Sequence, residues 1–459
     1  MAEIQPFQAF RYNTERAELK DVLTQPYDKI TPEMQESYYA ASPYNLIQIE
    51  KGRPFQGDDS ANNVYTRAAA KVEEWIAERV LVQDAAPGIY IYSQEYAVPG
   101  TNTRRTRTGF IALGRLEDYE NKIVFRHERT LSVPKTDRLE LLRHMRVQTG
   151  QLFMLYDDPS KRIETLLDQM ARANTPVEMV DEYSVTHRLW PVFDRDFIAH
   201  VQQHMANQKL VIADGHHRYE TALNYRNECR QKASAPDRSA SYEFAMMTFI
   251  NAHSKGLTIL PTHRVIRNLA DFNFEQFRKA VARFFDWYSY PFSSDEERTE
   301  SLSQFRKDLE DRGQSRPAIG IYAGGAFYLF LLKRDADLED LLPDISEAQR
   351  KLDVVLLHRF VLEKGLGITP EAVAAEKNIT YEREMDAAVA AVDRSEAQLA
   401  CILNPVNIDQ MMQIAMSGEV LPQKSTDFYP KLLSGIAIYG VEGKQAVASV
   451  RLSGPAPLG

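Results

Sequence analysis

Short apolar runs alternate along the chain with segments in which apolar residues recur at helical spacing. Runs typical of buried strands lie at residues 151–156, 210–213 and 243–252. Apolar residues at helical spacing occupy residues 63–80, 273–286 and 295–312. Because strands that alternate with helices are typical of mixed architectures, the predicted fold class is α/β (α+β mixed).

Two local patterns carry more specific predictions. Residues 46–49 form a short apolar run that predicts a strand. Residues 89–98 and 108–116 alternate apolar with polar or aromatic positions, which predicts a hairpin. Its loop carries three arginines, Arg104, Arg105 and Arg107. A charge run on a turn is expected to be exposed to solvent, and a role in steering phosphate is the less favoured alternative.

The residue composition changes after about Asn268, where the predicted helical segments contain more charged residues. At 459 residues the chain is long enough for two or three domains, each with its own core. We therefore predict a catalytic, nucleotide-binding domain over residues 1–268 and a second α+β domain over residues 269–459. The second domain is expected to contribute a loop that contains Lys-Ser-Thr.

Composition narrows the classes of function. The formal net charge of −9 argues against nucleic acid as a partner. Cys229 and Cys401 are too few for a disulfide framework or a cysteine zinc site, which fits a reducing cytosol. The first residues do not resemble a signal peptide, and no run of about 18 apolar residues occurs. We predict a soluble cytoplasmic protein without a membrane partner, and the sequence leaves a homo-oligomer open.

The densest chemistry lies in residues 209–223, where a predicted strand runs into a predicted helix. The turn between them has the sequence Asp-Gly-His-His-Arg and is expected to span all five residues, 214–218. Asp214 suits the N-cap of the helix, and Gly215 permits a bend with positive φ. Because backbone N–H groups at a helix start favour anions, this corner predicts an anion site, with phosphate as the preferred ligand.

Two polar segments in the first part of the chain are further candidates. A proline turn presents Tyr27 and Asp28. Residues 127–130 read His-Glu-Arg-Thr, and a turn of local salt bridges would explain them as well as a functional role. His127 beside Glu128 is nevertheless a natural acid–base pair.

Two more candidates follow later in the chain. An apolar run ends in Pro-Thr-His-Arg, which presents His263 and Arg264 at the tip of a predicted strand. A loop near the C-terminus supplies ammonium and hydroxyl donors for phosphate: Lys424, Ser425, Thr426 and Lys431. Groups at the carboxyl ends of strands converge in α/β architectures, so we expect these segments to meet the 214–218 corner in one pocket.

Taken together, the ordered motifs resemble the family catalogued as domain of unknown function 1015. The motifs are Pro-Tyr-Asp, His-Glu-Arg-Thr, Ala-Asp-Gly-His-His-Arg, Pro-Thr-His-Arg and Lys-Ser-Thr-x-Phe-x-Pro-Lys, and they span nearly the full length of the chain. The first departs from the family's Pro-Pro-Tyr-Asp form, because Gln25 stands in place of the first proline.

The 214–218 box is also similar to the second conserved box of the ParB and sulfiredoxin superfamily, which includes free serine kinases with a similar Asp-Gly-His-His-Arg. This resemblance implies a ParB/sulfiredoxin-like core in which Gly215 and Arg218 hold nucleotide phosphates. It places His217 where the superfamily has a histidine or an arginine. His216 replaces the sulfiredoxin cysteine, which excludes sulfinic-acid reduction.

The favoured hypothesis is a Mg²⁺-dependent, kinase-like phosphotransferase that uses a nucleotide (ATP, ADP or CTP) and acts on a small hydroxylated metabolite. The predicted catalytic residues are Asp214, which would also bind Mg²⁺, His217, His127 and Glu128. The predicted phosphate- and nucleotide-binding residues are Gly215, His216, Arg218, Arg129, Thr130, Lys424, Ser425, Thr426 and Lys431. The predicted substrate-binding residues are Tyr27, Asp28, His263 and Arg264.

Two alternatives belong to other classes. A metal-dependent hydrolase would use Asp214, His216 and His217, with His127 or His263, although adjacent histidines on a helix point in different directions. A non-enzymatic, ParB-like switch would bind a nucleotide without turning it over. Metal content and nucleotide turnover separate the three hypotheses.

Overall fold

A computed structural model describes residues 2–128, 135–235 and 237–441. The described chain forms two compact units, each built from segments that are distant in sequence. The first contains the residues up to Phe125, those from 135 to Leu257 and those from Pro430 onwards. The second contains residues 126–128 and Thr258–Tyr429. The proposed division of the chain at residue 268 stays a prediction.

The first unit contains the strands and helices up to residue 251. Its strands are β1 (Ile4–Gln5), β2 (Phe10–Tyr12), β3 (Leu81–Gln83), β4 (Ile89–Ala97), β5 (Arg104–Arg115), β6 (Val124–Arg126), β7 (Val147–Gln148), β8 (Leu152–Tyr156), β9 (Val177–Val180), β10 (Thr186–Val192), β11 (Leu210–Asp214) and β12 (Phe244–Asn251). Its α-helices are α1 (Leu19–Val22), α2 (Pro32–Ala41), α3 (Ile47–Glu50), α4 (Val64–Ala77), α5 (Lys135–Met145), α6 (Arg162–Ala173), α7 (Arg195–Met205) and α8 (His216–Lys232). Three short 3₁₀ helices lie at Tyr27–Lys29, Tyr119–Asn121 and Ser241–Glu243.

The core of this unit is a sheet with the order β6-β11-β8-β12-β5-β4-β10-β9, and β1 also pairs with β5. β4 and β5 form the predicted hairpin, and β8 runs parallel to β12. Helices α6, α7 and α8 bury apolar side chains against the sheet, among them Leu167, Val201 and Tyr219. The sheet and these helices set the direction in which α8 leaves β11.

The strand predicted at residues 46–49 is wrong, because Leu46 is the N-cap of α3 and residues 47–49 belong to that helix. The Asn45 side chain accepts a hydrogen bond from the Ile47 N–H at 2.9 Å, which stabilises the start of a helix. A run of four apolar residues has no period that separates a buried strand from a buried helix turn. The correction matters because α3 ends at Glu50, whose side chain lines a pocket described below.

The second unit contains a separate sheet. Its strands are β13 (Thr258–Leu260), β14 (His263–Ile266), β15 (Phe285–Pro291), β16 (Ala318–Ala323), β17 (Ala326–Leu332), β18 (Ile379–Glu382), β19 (Leu399–Leu403) and β20 (Asp427–Tyr429). Its α-helices are α9 (Phe274–Val281), α10 (Asp295–Gly313), α11 (Leu338–Leu341), α12 (Glu347–Arg350), α13 (Asp353–Leu356), α14 (Pro370–Ala374), α15 (Met385–Asp393) and α16 (Ile408–Met416), and a π-helix spans Leu357–Gly365.

The main sheet of the second unit is antiparallel, with the order β15-β17-β16-β19-β14-β18. Phe305 of α10 and Val389 of α15 pack into its core. The chain returns to the first unit at Pro430, where β21 (Tyr439–Gly440) pairs with β7. The described part of the chain is therefore mixed α/β, as predicted, and it contains no helix long and apolar enough to cross a bilayer.

Candidate functional site

The predicted corner is tighter than expected. β11 extends to Asp214, and α8 begins at His216, so a single residue separates strand from helix. That residue is Gly215, with a φ of 92°, which confirms the predicted positive φ and makes Gly215 rather than Asp214 the N-cap. The five-residue turn is therefore wrong, because a glycine in the left-handed region reverses the chain within one residue.

Basic groups surround the Asp214 carboxylate. Arg218 Nη2 donates to Asp214 Oδ2 at 3.1 Å, and Lys431 Nζ lies 3.6 Å from Oδ1. Burial by itself would raise the pKa of the Asp214 carboxyl. Four basic groups instead bring this pKa well below its usual range: Lys431, Arg218, Lys29 and His216. The carboxylate therefore stays ionised, and basic groups outnumber it at the start of α8.

Two glycines make room for the Arg218 side chain. A Cβ atom on Gly215 would lie 2.9 Å from Arg218 Nε and 3.0 Å from Nη2, and one on Gly150 would lie 3.4 Å from Nη1. The guanidinium therefore lies against the backbone where α8 begins. A glycine N-cap has no side chain that could accept hydrogen bonds from the backbone N–H groups of the first turn. Those N–H groups and the guanidinium can bind the same anion.

Replacing Gly215 with alanine is expected to lower the free energy of unfolding by about 1–2 kcal/mol, because an L-residue is strained at this φ. It should also displace Arg218 and weaken binding of inorganic phosphate about tenfold. Urea unfolding and phosphate titration measure the two effects. Gly100→Ala is the matched control, since Gly100 has a φ of 72° but nothing within 4 Å of the added Cβ. Equal phosphate affinity in both variants would contradict the close packing of Arg218.

Buried side chains hold the backbone that carries Lys431 to Asp214. Arg107 Nη2 donates to the Pro430 carbonyl at 2.5 Å, and Gln94 Nε2 donates to the Lys431 carbonyl at 2.8 Å. Arg107 also donates to Gln94 Oε1, so the two side chains support each other. The predicted Lys431 therefore reaches the corner, and Arg107 and Gln94 are positioning residues that sequence reasoning missed.

The predicted exposure of Arg107 is wrong. Arg107 is 1% exposed, and its guanidinium lies 4.7 Å from the centroid of the Phe153 ring. Burial lowers the pKa of Arg107 to about 10. The reason is that β5 begins at Arg104, so the charge run lies on a strand whose alternate side chains point inward. The Arg104 side chain is 61% exposed, in agreement with the prediction.

A pocket opens beside Arg218 in the first unit, with a volume of about 550 Å³ that is partly open to solvent. Its polar lining includes Tyr27, Glu50, Arg138, Thr149 and Arg218. Its apolar lining includes Leu141, Leu142, Met145, Leu152 and Ala222. An adjoining pocket of about 770 Å³ shares Tyr27, Glu50 and Arg138 and adds Asp28. Two predicted residues, Tyr27 and Asp28, thus line pockets near the corner.

Glu50 and Arg138 are pocket residues that the sequence did not reveal. Glu50 directly follows the incorrectly predicted strand at residues 46–49, and Arg138 belongs to no motif that the sequence analysis identified. The Arg138 guanidinium lies 4.5 Å from the centroid of the Tyr27 ring and donates to the Glu50 carbonyl at 2.7 Å. Arg138 therefore ties the proline turn to the end of α3.

In the second unit, His127, Glu128 and Thr426 form a hydrogen-bonded group. The Thr426 hydroxyl and N–H donate to Glu128 Oε1 at 3.0 and 2.9 Å. His127 Nε2 lies 2.6 Å from the same hydroxyl, and His127 is buried. Because the hydroxyl donates to Glu128, it accepts from the His127 Nε2–H. Such a chain can pass a proton between imidazole and carboxylate, and it also ties residues 127–128 to the 421–426 loop.

The other predicted residues of the second unit contact the backbone of the same loop. Arg264 is fully buried and donates to the Lys424 carbonyl at 3.0 Å. The Ser425 hydroxyl donates to the Pro422 carbonyl at 2.5 Å, whereas Lys424 is exposed to solvent. Arg264 and Ser425 thus stabilise the loop, and their roles in binding substrate and phosphate stay predictions.

His263 makes the second unit sensitive to acid. Burial, aided by the charges of Arg264 and Arg306, lowers the pKa of His263 to about 4. Because the unfolded chain takes up this proton near pH 6.5, stability is present above that pH and is lost as the pH falls towards 4. His263→Asn keeps an acceptor for the Leu403 N–H and removes the titration.

We expect the free energy of unfolding of the wild type, measured in urea, to fall between about pH 7 and about pH 4.5, and that of His263→Asn to fall by roughly 1–3 kcal/mol less. Exposed His200→Asn is the control and should follow the wild type. An identical slope in His263→Asn and the wild type would contradict this assignment.

The predicted magnesium ligand, Asp214, is a single carboxylate and would bind a metal ion weakly by itself. A cation beside it would face Arg218 and Lys431 unless phosphate oxygens joined the site. In the described ranges, no group of three or more His, Cys, Asp and Glu residues is placed to hold a metal ion. Arg129 and Thr130 lie outside the described residues.

The predicted residues thus form two groups. The first unit brings Asp214 and Arg218 together with Lys431, and places Tyr27 in the pocket beside them. The second unit brings together His127, Glu128, Thr426 and the loop held by Arg264. That the two groups form one pocket stays a prediction.

Several solved structures are similar to this chain. A free serine kinase variant in complex with ADP is 12% identical with a TM-score of 0.35, over 75% of this chain and 97% of that one. SbnI from Staphylococcus aureus, truncated at its C-terminus, is 12% identical with a TM-score of 0.33, over 71% and 85%. A conserved hypothetical protein from Pyrococcus furiosus is 13% identical with a TM-score of 0.31, over 67% and 87%. Similarity at these identities and TM-scores carries no information about activity.

No curated protein matches the sequence. A family model described as "Protein of unknown function (DUF1015)" matches residues 4–355, which is more than half of the chain. The matched range contains the Tyr27 turn, the His127 segment, the Asp214 corner and the His263 strand, and it ends before Lys424. The resemblance drawn from the motifs is confirmed, and the chain belongs to the DUF1015 family.

Proposed function

We propose that the protein is a nucleotide-binding phosphotransferase that acts on a small hydroxylated metabolite. The observation that supports this most strongly is the start of α8, where four basic groups surround Asp214 next to the first backbone N–H groups of the helix. Helix starts with added cationic side chains bind phosphate groups well. Phosphoryl transfer needs mainly such positioning and charge stabilisation. The nucleotide phosphates would lie between Arg218, Lys431 and the N–H groups of residues 216–218.

In the proposed reaction, the hydroxyl oxygen of the metabolite attacks the γ-phosphorus of ATP. The bond from this phosphorus to the bridging oxygen breaks, ADP leaves with the electron pair, and the hydroxyl proton passes to a base. The lowered pKa makes Asp214 a weak base, so we assign it to holding Arg218 and Lys431 and, with the phosphates, Mg²⁺. Mg²⁺ would neutralise charge that develops on the phosphate oxygens. His217, in the first turn of α8, is the proposed base in this unit.

His127 and Glu128 are the other proposed acid–base pair. Their support is the hydrogen-bonded chain through Thr426, which links an imidazole to a carboxylate. Glu128→Gln keeps an oxygen that accepts from Thr426 and removes the charge. If Glu128 takes part in the reaction, this variant should lose turnover and keep nucleotide affinity.

The test is ATP turnover with Mg²⁺ across a panel of hydroxylated amino acids, polyols and sugars, followed by ³¹P NMR. A phosphate monoester that forms together with ADP, and only when one class of metabolite is present, would support the proposal. ADP binding without any monoester would favour the nucleotide-switch alternative instead. Metal bound at one equivalent, with hydrolysis but no transfer, would favour the hydrolase alternative.

A further inference from the structure

We infer that the pocket beside Arg218 binds the nucleoside part of the nucleotide, and that Glu50 accepts hydrogen bonds from the ribose hydroxyls. This inference rests on the proposed function, because it takes the phosphates to lie at the start of α8. It adds the orientation of the nucleotide and a residue that discriminates ribose from other groups.

The 214–218 corner and the pocket are continuous with each other. Arg218 belongs to both, and Thr221 and Ala222, one turn further along α8, also line the pocket. A ligand with its phosphates at the first turn of α8 can therefore extend along this helix into the pocket. The glycine contacts at residues 150 and 215 keep the Arg218 guanidinium at the junction.

The pocket also presents apolar side chains to a ligand. Five of its lining residues are apolar and buried: Leu141, Leu142, Met145, Leu152 and Ala222. Apolar side chains suit the flat faces of a nucleobase better than they suit a sugar or a polyol.

The Glu50 carboxylate can accept further hydrogen bonds in the pocket. Glu50 is 4% exposed, and one of its oxygens, Oε2, accepts a hydrogen bond from the Thr149 hydroxyl. The other, Oε1, lies 3.9 Å from Arg138 Nη1, beyond hydrogen-bond distance, and no donor among the described residues bonds to it. A carboxylate oxygen that lines a pocket and has no hydrogen-bond donor can accept hydrogen bonds from the hydroxyl groups of a ligand. Acidic side chains bind ribose hydroxyls in this way in nucleotide sites.

The test compares three probes by calorimetry: ADP, 2′,3′-dideoxy-ADP and inorganic pyrophosphate. For the wild type we expect ADP to bind about tenfold more tightly than dideoxy-ADP, which lacks both ribose hydroxyls. Glu50→Gln keeps the acceptor for Thr149 but should weaken ADP about tenfold and leave dideoxy-ADP and pyrophosphate unchanged. Ala222→Phe fills the pocket and should weaken ADP about a hundredfold, again without an effect on pyrophosphate.

Ala70→Phe, on an exposed position of α4, is the matched control for the added ring. If Ala222→Phe does not fold, the Glu50→Gln comparison decides alone. Wild-type binding of pyrophosphate, with equal ADP affinity in Glu50→Gln and the wild type, would overturn the inference and leave the proposed phosphate site intact. A wild type that binds neither ADP nor pyrophosphate would overturn both.

Discussion

Arg218→Ala is expected to weaken ADP binding about a hundredfold. The guanidinium lies against the start of α8 next to two glycines, and its N–H groups can donate a pair of hydrogen bonds to a phosphate. Lys431→Ala should cost less, about tenfold, because an ammonium acts as a point charge. Arg218→Lys keeps the positive charge but loses the paired N–H donors, so its affinity for ADP should lie between those of the wild type and Arg218→Ala.

Calorimetry with ADP measures these affinities, and circular dichroism checks that each variant folds. Arg104→Ala is the matched control, since Arg104 is an exposed arginine in an ion pair with Glu95 in the same unit. An Arg218→Ala variant that folds and binds ADP within about twofold of the wild type would contradict the assignment of Arg218 to phosphate.

Arg107→Met is expected to lower the free energy of unfolding by about 3 kcal/mol. Methionine fills much of the buried volume but cannot donate to the Pro430 carbonyl or to Gln94, and both acceptors would be left buried. The variant should also weaken ADP binding, because Lys431 follows Pro430 directly and would lose its fixed position near Asp214.

Urea unfolding and ADP titration of Arg107→Met measure the two effects separately. Arg104→Ala, from the same arginine run, should change neither by more than about 0.5 kcal/mol. If Arg107→Met unfolds like the wild type, the buried guanidinium does not stabilise the fold. If it is destabilised but binds ADP normally, Arg107 does not position Lys431.

Local patterns were enough to find the elements around the site. The apolar run at 210–213 and the glycine after it correctly indicated a strand, a φ-positive residue and a helix, although the turn proved shorter than expected. The hairpin of β4 and β5 followed from alternation. These features depend on residues close in sequence, whose physical preferences act without the rest of the chain.

Contacts between distant residues could not be derived in the same way. Lys431 reaches Asp214 because Arg107 and Gln94 hold its backbone, and no local pattern encodes that register. Glu50 could not be identified from the sequence, because the run that precedes it predicted a strand and the segment is a helix. Which basic residue is buried and which is solvated depends on strand boundaries, and a shift of a few residues reversed the assignment of Arg107.

The most direct measurement of the central claim is a crystal structure of the protein with bound ADP. We expect the phosphates to contact the backbone N–H groups of residues 216–218 and the Arg218 guanidinium, at hydrogen-bond distances of about 3 Å. Lys431 should lie beside the same phosphates. An ordered ADP whose phosphates lie away from Gly215 and Arg218 would contradict the assignment of this corner as the phosphate site.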